Sequence, residues 1–386
     1  MSLKNLLERL AAFEPTRYPF ISLYLNAQAN DRGRADFDLF VRQELEARAK
    51  TFEPRTIERE SFDRDVERVK EYLEKEVRPS ANGVVIFACS GADDFFEAAQ
   101  LDAPVERNRL FVYDHPHLYP LARLMDQYQR YAVLVADTNS AQIFVFGYGH
   151  LIDHDEIQNV KTNRSQVGGW SQMRYQRHVE NYHLHHAKEV VEALDRVVRE
   201  DNIEKIILSG DQTAIIPVLR GQLPKHLEEK VVDVINLGVK TPEHEILEAT
   251  ENLLRVENAT SDAEKVRRLL DEYRGDGLAV VGVAATLAAL SNGQVEELFI
   301  SASMRGIRYD EQEVERVMAA YAPATGPTAD VAEPRTVADE LVRRAETMSS
   351  ARVTFIEDES LLASAGGVGA LIRYHITDTP GGNNVG

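Results

Sequence analysis

Two adjacent glycines, Gly168 and Gly169, stand between basic residues, with Lys161 and Arg164 before them and Arg174 and Arg177 after. Without Cβ atoms, paired glycines reach positive φ and let the backbone approach another molecule closely. Arg174 and Arg177, three positions apart, would share one face of a helix, where guanidinium groups hold phosphate oxygens. Trp170, directly after the glycines, offers a flat ring that can stack on a nucleobase or pack against its own domain. No Asp or Glu occurs from Ile157 to Val179, where the chain average would place roughly four. These residue types suit recognition of a phosphate-rich ligand by a thin backbone loop. The plain structural alternative is a solvated glycine turn ahead of a helix.

Other candidates carry less. His178, His183, His185 and His186 suggest a metal cluster, but only His183 and His186 fall three apart, and no H-E-x-x-H pattern or acidic third ligand accompanies them. A neutral or weakly basic helix face is the reading preferred here, and no metal or other cofactor is expected. Asp137 and Asp211 each follow a strand candidate, where Asp is usually a turn residue. The single cysteine, Cys89, can form neither an intrachain disulfide nor a cysteine cage, which fits a reducing compartment. A net charge of −19 argues against a general nucleic-acid binder, so contact with RNA must be local. No apolar run approaches the ~18 residues of a membrane span, and charges interrupt the amino-terminal apolar stretch. A soluble cytoplasmic protein with no membrane partner is expected.

Placing those residues requires several elements. The 386 residues imply two or three domains. In the first, residues 1–128, a helix capped by Ser2 is followed by the strand Phe20 to Leu25. Two helices come next, the second with Phe62, Val66, Val69 and Leu73 at helical spacing. Val84 to Phe87, Phe96 to Leu101 and Leu110 to Tyr113 complete an α+β domain. The second, residues 129–274, opens with the hairpin Tyr131 to Asp137 and Ala141 to Phe146, and a third strand from His150. The acid-free loop and a long helix from about Ser171 to Glu200 follow. Strand Lys205 to Gly210, helix Ile215 to Leu219, strand Val231 to Ile235 and a long polar helix after Pro242 make it a mixed α/β domain. The third, residues 275–386, has helix Ala284 to Leu290, strand Val295 to Ile300 and a flexible insertion around Pro323, Pro327 and Pro334. A final helix, strand, helix and strand close it. The fold class expected is α/β and α+β, with mixed sheets flanked by helices.

Three separated segments, in order, resemble the archaeo-eukaryotic peptide-chain release factors and their relative Pelota. Gly282 to Ser301 looks like the family's helix, turn and strand in the third domain, and Ala365 to Tyr374 resembles its closing Gly-Gly strand. Gly168-Gly169-Trp170-Ser171-Gln172-Met173-Arg174-Tyr175-Gln176-Arg177 is similar to the family's loop and helix start. Weaker similarities in the first domain, including Tyr113 to Leu121, extend the resemblance over essentially the whole chain. It is strongest to the bacterial branch, which includes the hibernation factor Balon.

The resemblance implies a three-domain protein in the ribosomal A site, contacting ribosomal RNA and peptidyl-tRNA. Release means that water attacks the ester between peptide and tRNA. The protein's part is to position that water and donate a hydrogen bond where negative charge develops. On this basis Gly168, Gly169 and Gln172 form the working loop, while Lys161, Arg164, Trp170, Arg174 and Arg177 hold RNA. The chain departs from the family where the release-factor glutamine is replaced by Trp170; the nearest glutamine is Gln172, two positions on. Two readings stay open: codon-independent ester hydrolysis through Gln172, or noncatalytic docking of Balon type. An unrelated α/β interaction protein is the third. The codon-reading tetrapeptide Asn-Ile-Lys-Ser is absent from the sequence, so codon-specific termination is not expected. Balon-type resemblance implies delivery by a translational GTPase such as elongation factor Tu.

Overall fold

The computed structural model describes residues 3–28, 37–101, 103–128, 130–147, 150–158, 171–201, 203–321 and 336–376. They form two compact units: Met1–Gln127 with Ala259–Gly386, and Tyr128–Asn258. The described residues include no helix long and apolar enough to cross a membrane. The Pro323, Pro327 and Pro334 stretch lies outside the described residues.

The chain begins with α1 (Leu3–Ala11), β1 (Phe20–Asn26), α2 (Asp38–Ala49), α3 (Ile57–Lys75), β2 (Gly83–Cys89), β3 (Phe95–Leu101), β4 (Arg109–Tyr113) and α4 (Tyr119–Gln127). The four strands pair antiparallel in the order β3-β2-β1-β4. Side chains alternate across a strand, so Ile21, Leu23, Leu25, Val84, Ile86 and Ala88 face one core with Val41, Leu45, Phe62 and Val69 of α2 and α3. The Thr56 hydroxyl caps α3 by accepting the Arg59 N–H at 3.2 Å. Buried Asp65 on α3 accepts the Ser90 N–H at 2.9 Å and so ties the helix to the end of β2.

The second unit runs through β5 (Tyr131–Ala136), β6 (Ser140–Gly147), β7 (His150–Gln158), α5 (Ser171–Glu200), β8 (Lys205–Gly210), α6 (Ile215–Arg220), α7 (Lys225–Glu228), β9 (Val231–Ile235) and the first half of α8 (Glu243–Arg274), whose residues from Ala259 on belong to the first unit. Its five strands are ordered β7-β6-β5-β8-β9. The last turns of α8 contribute Val266 and Leu269 to a core of the first unit.

That unit is completed by β10 (Ala279–Val281), α9 (Val283–Ser291), β11 (Val295–Ser301), α10 (Glu311–Ala320), α11 (Val337–Arg344), β12 (Arg352–Ile356) and β13 (Val368–Ile372). The sheet order is β10-β13-β11-β12, with only the β11–β12 pair parallel. The helix expected between the last two strands is a three-residue 3-10 turn, Ala363–Ala365. Gly366 and Gly367 stop it with φ of +66° and +80°, and a Cβ on Gly367 would stand 2.2 Å from the Gly306 carbonyl oxygen. Helix α10, not anticipated, is marked by its cap: Asp310 accepts the N–H groups of Gln312 and Glu313.

The first and last sheets of this unit meet through a buried polar network. The stretch between β4 and α4 delivers His117, whose Nδ1 pairs with Asp339 of α11; both residues are at most 2% exposed. The other Asp339 oxygen accepts the N–H groups of Leu118 and Tyr119, each at 2.8 Å, and the Thr336 hydroxyl donates to the carboxylate at 2.8 Å. From β1, the Tyr24 hydroxyl donates to the His117 carbonyl at 2.5 Å, and the Ser22 hydroxyl accepts the His117 N–H at 3.0 Å. The Tyr119 hydroxyl donates to the Ser301 carbonyl of β11 at 2.8 Å. Burial pushes the Asp339 carboxyl upward, but the hydrogen bond and charge of His117, with the Tyr119 N–H and Thr336, hold it below the usual range. Asp126 at the end of α4 accepts the Phe355 N–H of edge strand β12 at 2.8 Å. Burial raises that carboxyl to about 6, helped by Asp262 and Glu357 and opposed by the Phe355 hydrogen bond and Lys265.

Asp339→Ala leaves His117 and two backbone N–H groups without their acceptor, so it is expected to cost about 3–5 kcal/mol in urea unfolding of the full chain. Asp126 has a folded-state value of about 6 against 3.8 for the free carboxyl. Its contribution to stability is therefore fully present below about pH 4 and is lost as pH rises through about 6. Asp126→Asn should remove about 3 kcal/mol of that pH-dependent change, read as a flatter plot of unfolding free energy against pH.

Candidate functional site

The Gly-Gly segment connects β7 to α5, so the sheet and helix of the second unit determine where it starts and ends. Strands β5, β6 and β7 form an antiparallel meander, and β8 lies parallel to β5. The chain therefore leaves an edge strand, passes through 159–170 and α5, and returns to the middle of the same sheet. Alternation along the strands sorts the core into two layers. Ala132, Leu134, Ala136, Ala141, Ile143, Val145, Ile206 and Leu208 face α5 and α6. Tyr131, Val133, Val135, Phe144, Phe146 and Ile207 face the opposite side, with Ile246 and Leu254 of α8.

Helix α5 has 30 residues, about 45 Å at 1.5 Å per residue. Its described core residues are Ala187, Val190, Val191, Leu194, Val197 and Val198, spaced as a helical stripe. His186, 1% exposed, stands at the head of that stripe. Burial lowers its pKa, against the opposing effects of a hydrogen bond to the Ser140 backbone and the charges of Asp137 and Glu189. The helix is also tied by polar contacts. Arg196 pairs with Asp155 of β7 at 3.2 Å, and Asp195 accepts His226 of α7 at 2.8 Å.

Lys161, Arg164, Gly168, Gly169 and Trp170 lie outside the described residues. The backbone of Gln172, Arg174 and Arg177 belongs to the leading turns of α5, whose first turn carries no acidic residue. The positive end of the helix dipole at Ser171 is thus not offset by a carboxylate of its own first turn. At 100° per residue, Arg174 and Arg177 stand about 60° apart around the axis, whereas Gln172 and Arg174 stand about 160° apart.

The described histidines of α5 differ in burial. His186 belongs to the interior because it sits one residue before Ala187 in the apolar stripe; His185 is exposed and His183 half-buried. Among the described residues no three His, Cys, Asp or Glu side chains come together as a metal site. Asp137 and Asp211 are turn residues. Asp137 accepts the N–H groups of Asn139 and Ser140 at 2.7 and 2.8 Å, and Asp211 accepts those of Thr213 and Ala214 at 2.7 and 3.0 Å. The sequence signal that identifies His186 as an interior residue is its phase with Val190, Leu194 and Val197.

The family model for the bacterial archaeo-eukaryotic release factor family 10 matches residues 116–255, which include all but the last three residues of the second unit, Tyr128–Asn258. Peptide chain release factor subunit 1 of Methanopyrus kandleri is 26% identical over 325 residues, covering 79% of this chain and 75% of that protein. The protein of the same description from Archaeoglobus fulgidus is 22% identical, covering 96% of each. Among solved structures, a ribosome-bound archaeal Pelota is similar at 15% identity and a TM-score of 0.38, covering 97% of this chain and 95% of that one.

Leu194 is fully buried at the centre of the α5 stripe. Leu194→Ala should lower the stability of the second unit by about 2–5 kcal/mol, measured as a shift of its urea unfolding midpoint.

Proposed function

We propose, for a chain of the archaeo-eukaryotic release factor and Pelota type, that it occupies the ribosomal A site and promotes codon-independent hydrolysis of peptidyl-tRNA. The observation that carries this reading is the pairing of Gly168 and Gly169 with the start of α5 inside the segment matched by the release factor family model. A loop of this kind brings backbone N–H groups to a carbonyl with no side chain in the way. The first turn of α5, free of acidic residues, favours negative charge at its end.

In this mechanism water adds to the ester carbonyl carbon, and the resulting oxyanion accepts hydrogen bonds from the loop. The carbon–oxygen bond to the tRNA ribose then breaks, and the ribose oxygen takes a proton as it leaves. Gln172 supplies the amide that orients the water, in place of the family glutamine whose position holds Trp170. Lys161, Arg164, Arg174 and Arg177 hold phosphates on either side of the loop. Because Arg174 lies about 160° around the axis from Gln172, one side of the helix is assigned to the ester and the other to RNA. The ribosome, its RNA and peptidyl-tRNA are the partners in this reading, with a translational GTPase such as elongation factor Tu as the delivery partner.

Trp170 favours a second reading. An indole where the release factors have glutamine suits stacking on a base, which would make the protein a noncatalytic hibernation factor of Balon type.

Peptide release from purified bacterial ribosomes that hold peptidyl-tRNA and an empty A site separates the two. The hydrolytic reading expects a clear wild-type rate that falls at least a hundredfold in Gln172→Ala with ribosome binding retained. No release from either protein, with both still bound, would establish the docking reading instead. In that case Arg174→Glu with Arg177→Glu should abolish cosedimentation.

A further inference from the structure

We infer that Met318 is a site of oxidative modification, at which a peroxide converts the thioether to a sulfoxide that the Arg344 guanidinium then holds. Met318 belongs to α10 in the first unit, outside the Gly-Gly segment, so its chemistry is the same under either reading of that segment.

Arg344 is 2% exposed, and a guanidinium taken out of water needs acceptors for its five N–H groups. Its Nε donates to Glu340 Oε1 at 2.6 Å. Nη1 donates to the Ser291 hydroxyl and, at 3.4 Å, to the Leu287 carbonyl. Nη2 donates to the Met318 sulfur at 3.1 Å and, among the described residues, to nothing else. A thioether is a weak acceptor, so the least satisfied nitrogen of a buried cation rests on a sulfur atom. Met348, 39% exposed, is the contrast: among the described residues no donor reaches its sulfur.

The contact also holds helices together. Glu340 and Arg344 lie on α11, and Leu287 and Ser291 lie on α9. The bond from Nη2 to sulfur therefore joins α10 to the α9 and α11 pair. Val314 is buried on the same helix, and Tyr321, just past its end, donates to Asn292 Oδ1 at 3.1 Å. Met318 itself is half-buried, so a molecule as small as hydrogen peroxide can approach it.

In the oxidation the sulfur lone pair attacks one peroxide oxygen and the O–O bond breaks. A proton passes from the transferred oxygen to the departing one, which leaves as water; the sulfur is oxidised by two electrons and the peroxide reduced by two. The sulfoxide oxygen is a far better acceptor than the sulfur was, and it forms beside a guanidinium already directed at that atom. A weak contact becomes a charge-assisted hydrogen bond. A sulfoxide in an apolar core loosens packing, whereas here the waiting cation reverses the sign and α10 is held more firmly.

The test measures amide hydrogen exchange in residues 311–320 of the full chain, before and after hydrogen peroxide, with peptide mass spectrometry to locate the added oxygen. Met318→Leu keeps the apolar bulk and cannot be oxidised, so it removes the contribution of every other methionine. The wild type is expected to gain one oxygen at Met318 and to exchange about fivefold more slowly in 311–320, the factor that one net hydrogen bond supplies. Met318→Leu should show no such slowing. Arg344→Lys keeps a charge for Glu340 but offers one nitrogen in place of three, and peroxide should leave its exchange unchanged or faster. Absence of oxygen at Met318 under a dose that fully oxidises Met348, wild-type exchange that is unchanged or faster after oxidation, or equal slowing in either variant would each overturn the inference.

Discussion

The Asp339 carboxylate is the contact on which the assembly of the first unit depends. One side chain, almost wholly buried, gathers the His117 imidazole, two successive backbone N–H groups and the Thr336 hydroxyl. The partners come from segments more than 200 residues apart. Closing so long a loop has a conformational entropy cost that no local contact offsets. A charge moved out of water must find full compensation, and an Asp with four donors finds it. Specificity follows from the same fact: a slipped pairing of the two sheets would leave a buried carboxylate and several N–H groups unmatched, whereas apolar faces tolerate slippage.

Around this contact the sheets repeat one device, in which a side chain satisfies backbone that the sheet itself leaves open. Asp126 serves the edge strand β12, Asp65 the end of β2, and Tyr119 the last residue of β11. Each of these side chains comes from a helix, so each hydrogen bond also fixes a helix to a sheet. Glu340, next to Asp339, pairs with Arg343 and Arg344 of its own helix. Burial pushes its carboxyl upward, but Arg343 and Arg344 hold it down at about 2, and Arg344 reaches on to the Leu287 carbonyl of α9.

In the second unit the main constraint is the apolar stripe of α5. Its described residues run from Ala187 to Val198, the part of the helix that leads into β8.

Much of this was legible in the residues. Val231 to Ile235 and the core of nearly every other strand follow from β-branched runs, and α3 follows from apolar residues at helical spacing, because local propensity and periodicity act over a few residues. Asp137 and Asp211 were legible as turns for the same reason: the groups they bind lie two and three positions away. The paired glycines and their basic neighbours marked the candidate loop by residue type alone. What only the tertiary structure decided is which distant segments share a core. Nothing near His117 announces Asp339, and nothing in the run of histidines tells an interior His186 from an exposed His185 except phase relative to a stripe that acquires meaning when the sheet lies against it. Desolvation, which makes an unpaired Asp or His costly, exists only once the chain has closed around it. The sequence by itself therefore determined the local elements and the chemistry available. The folded packing decided which of those polar groups brace the protein and which remain for a ligand.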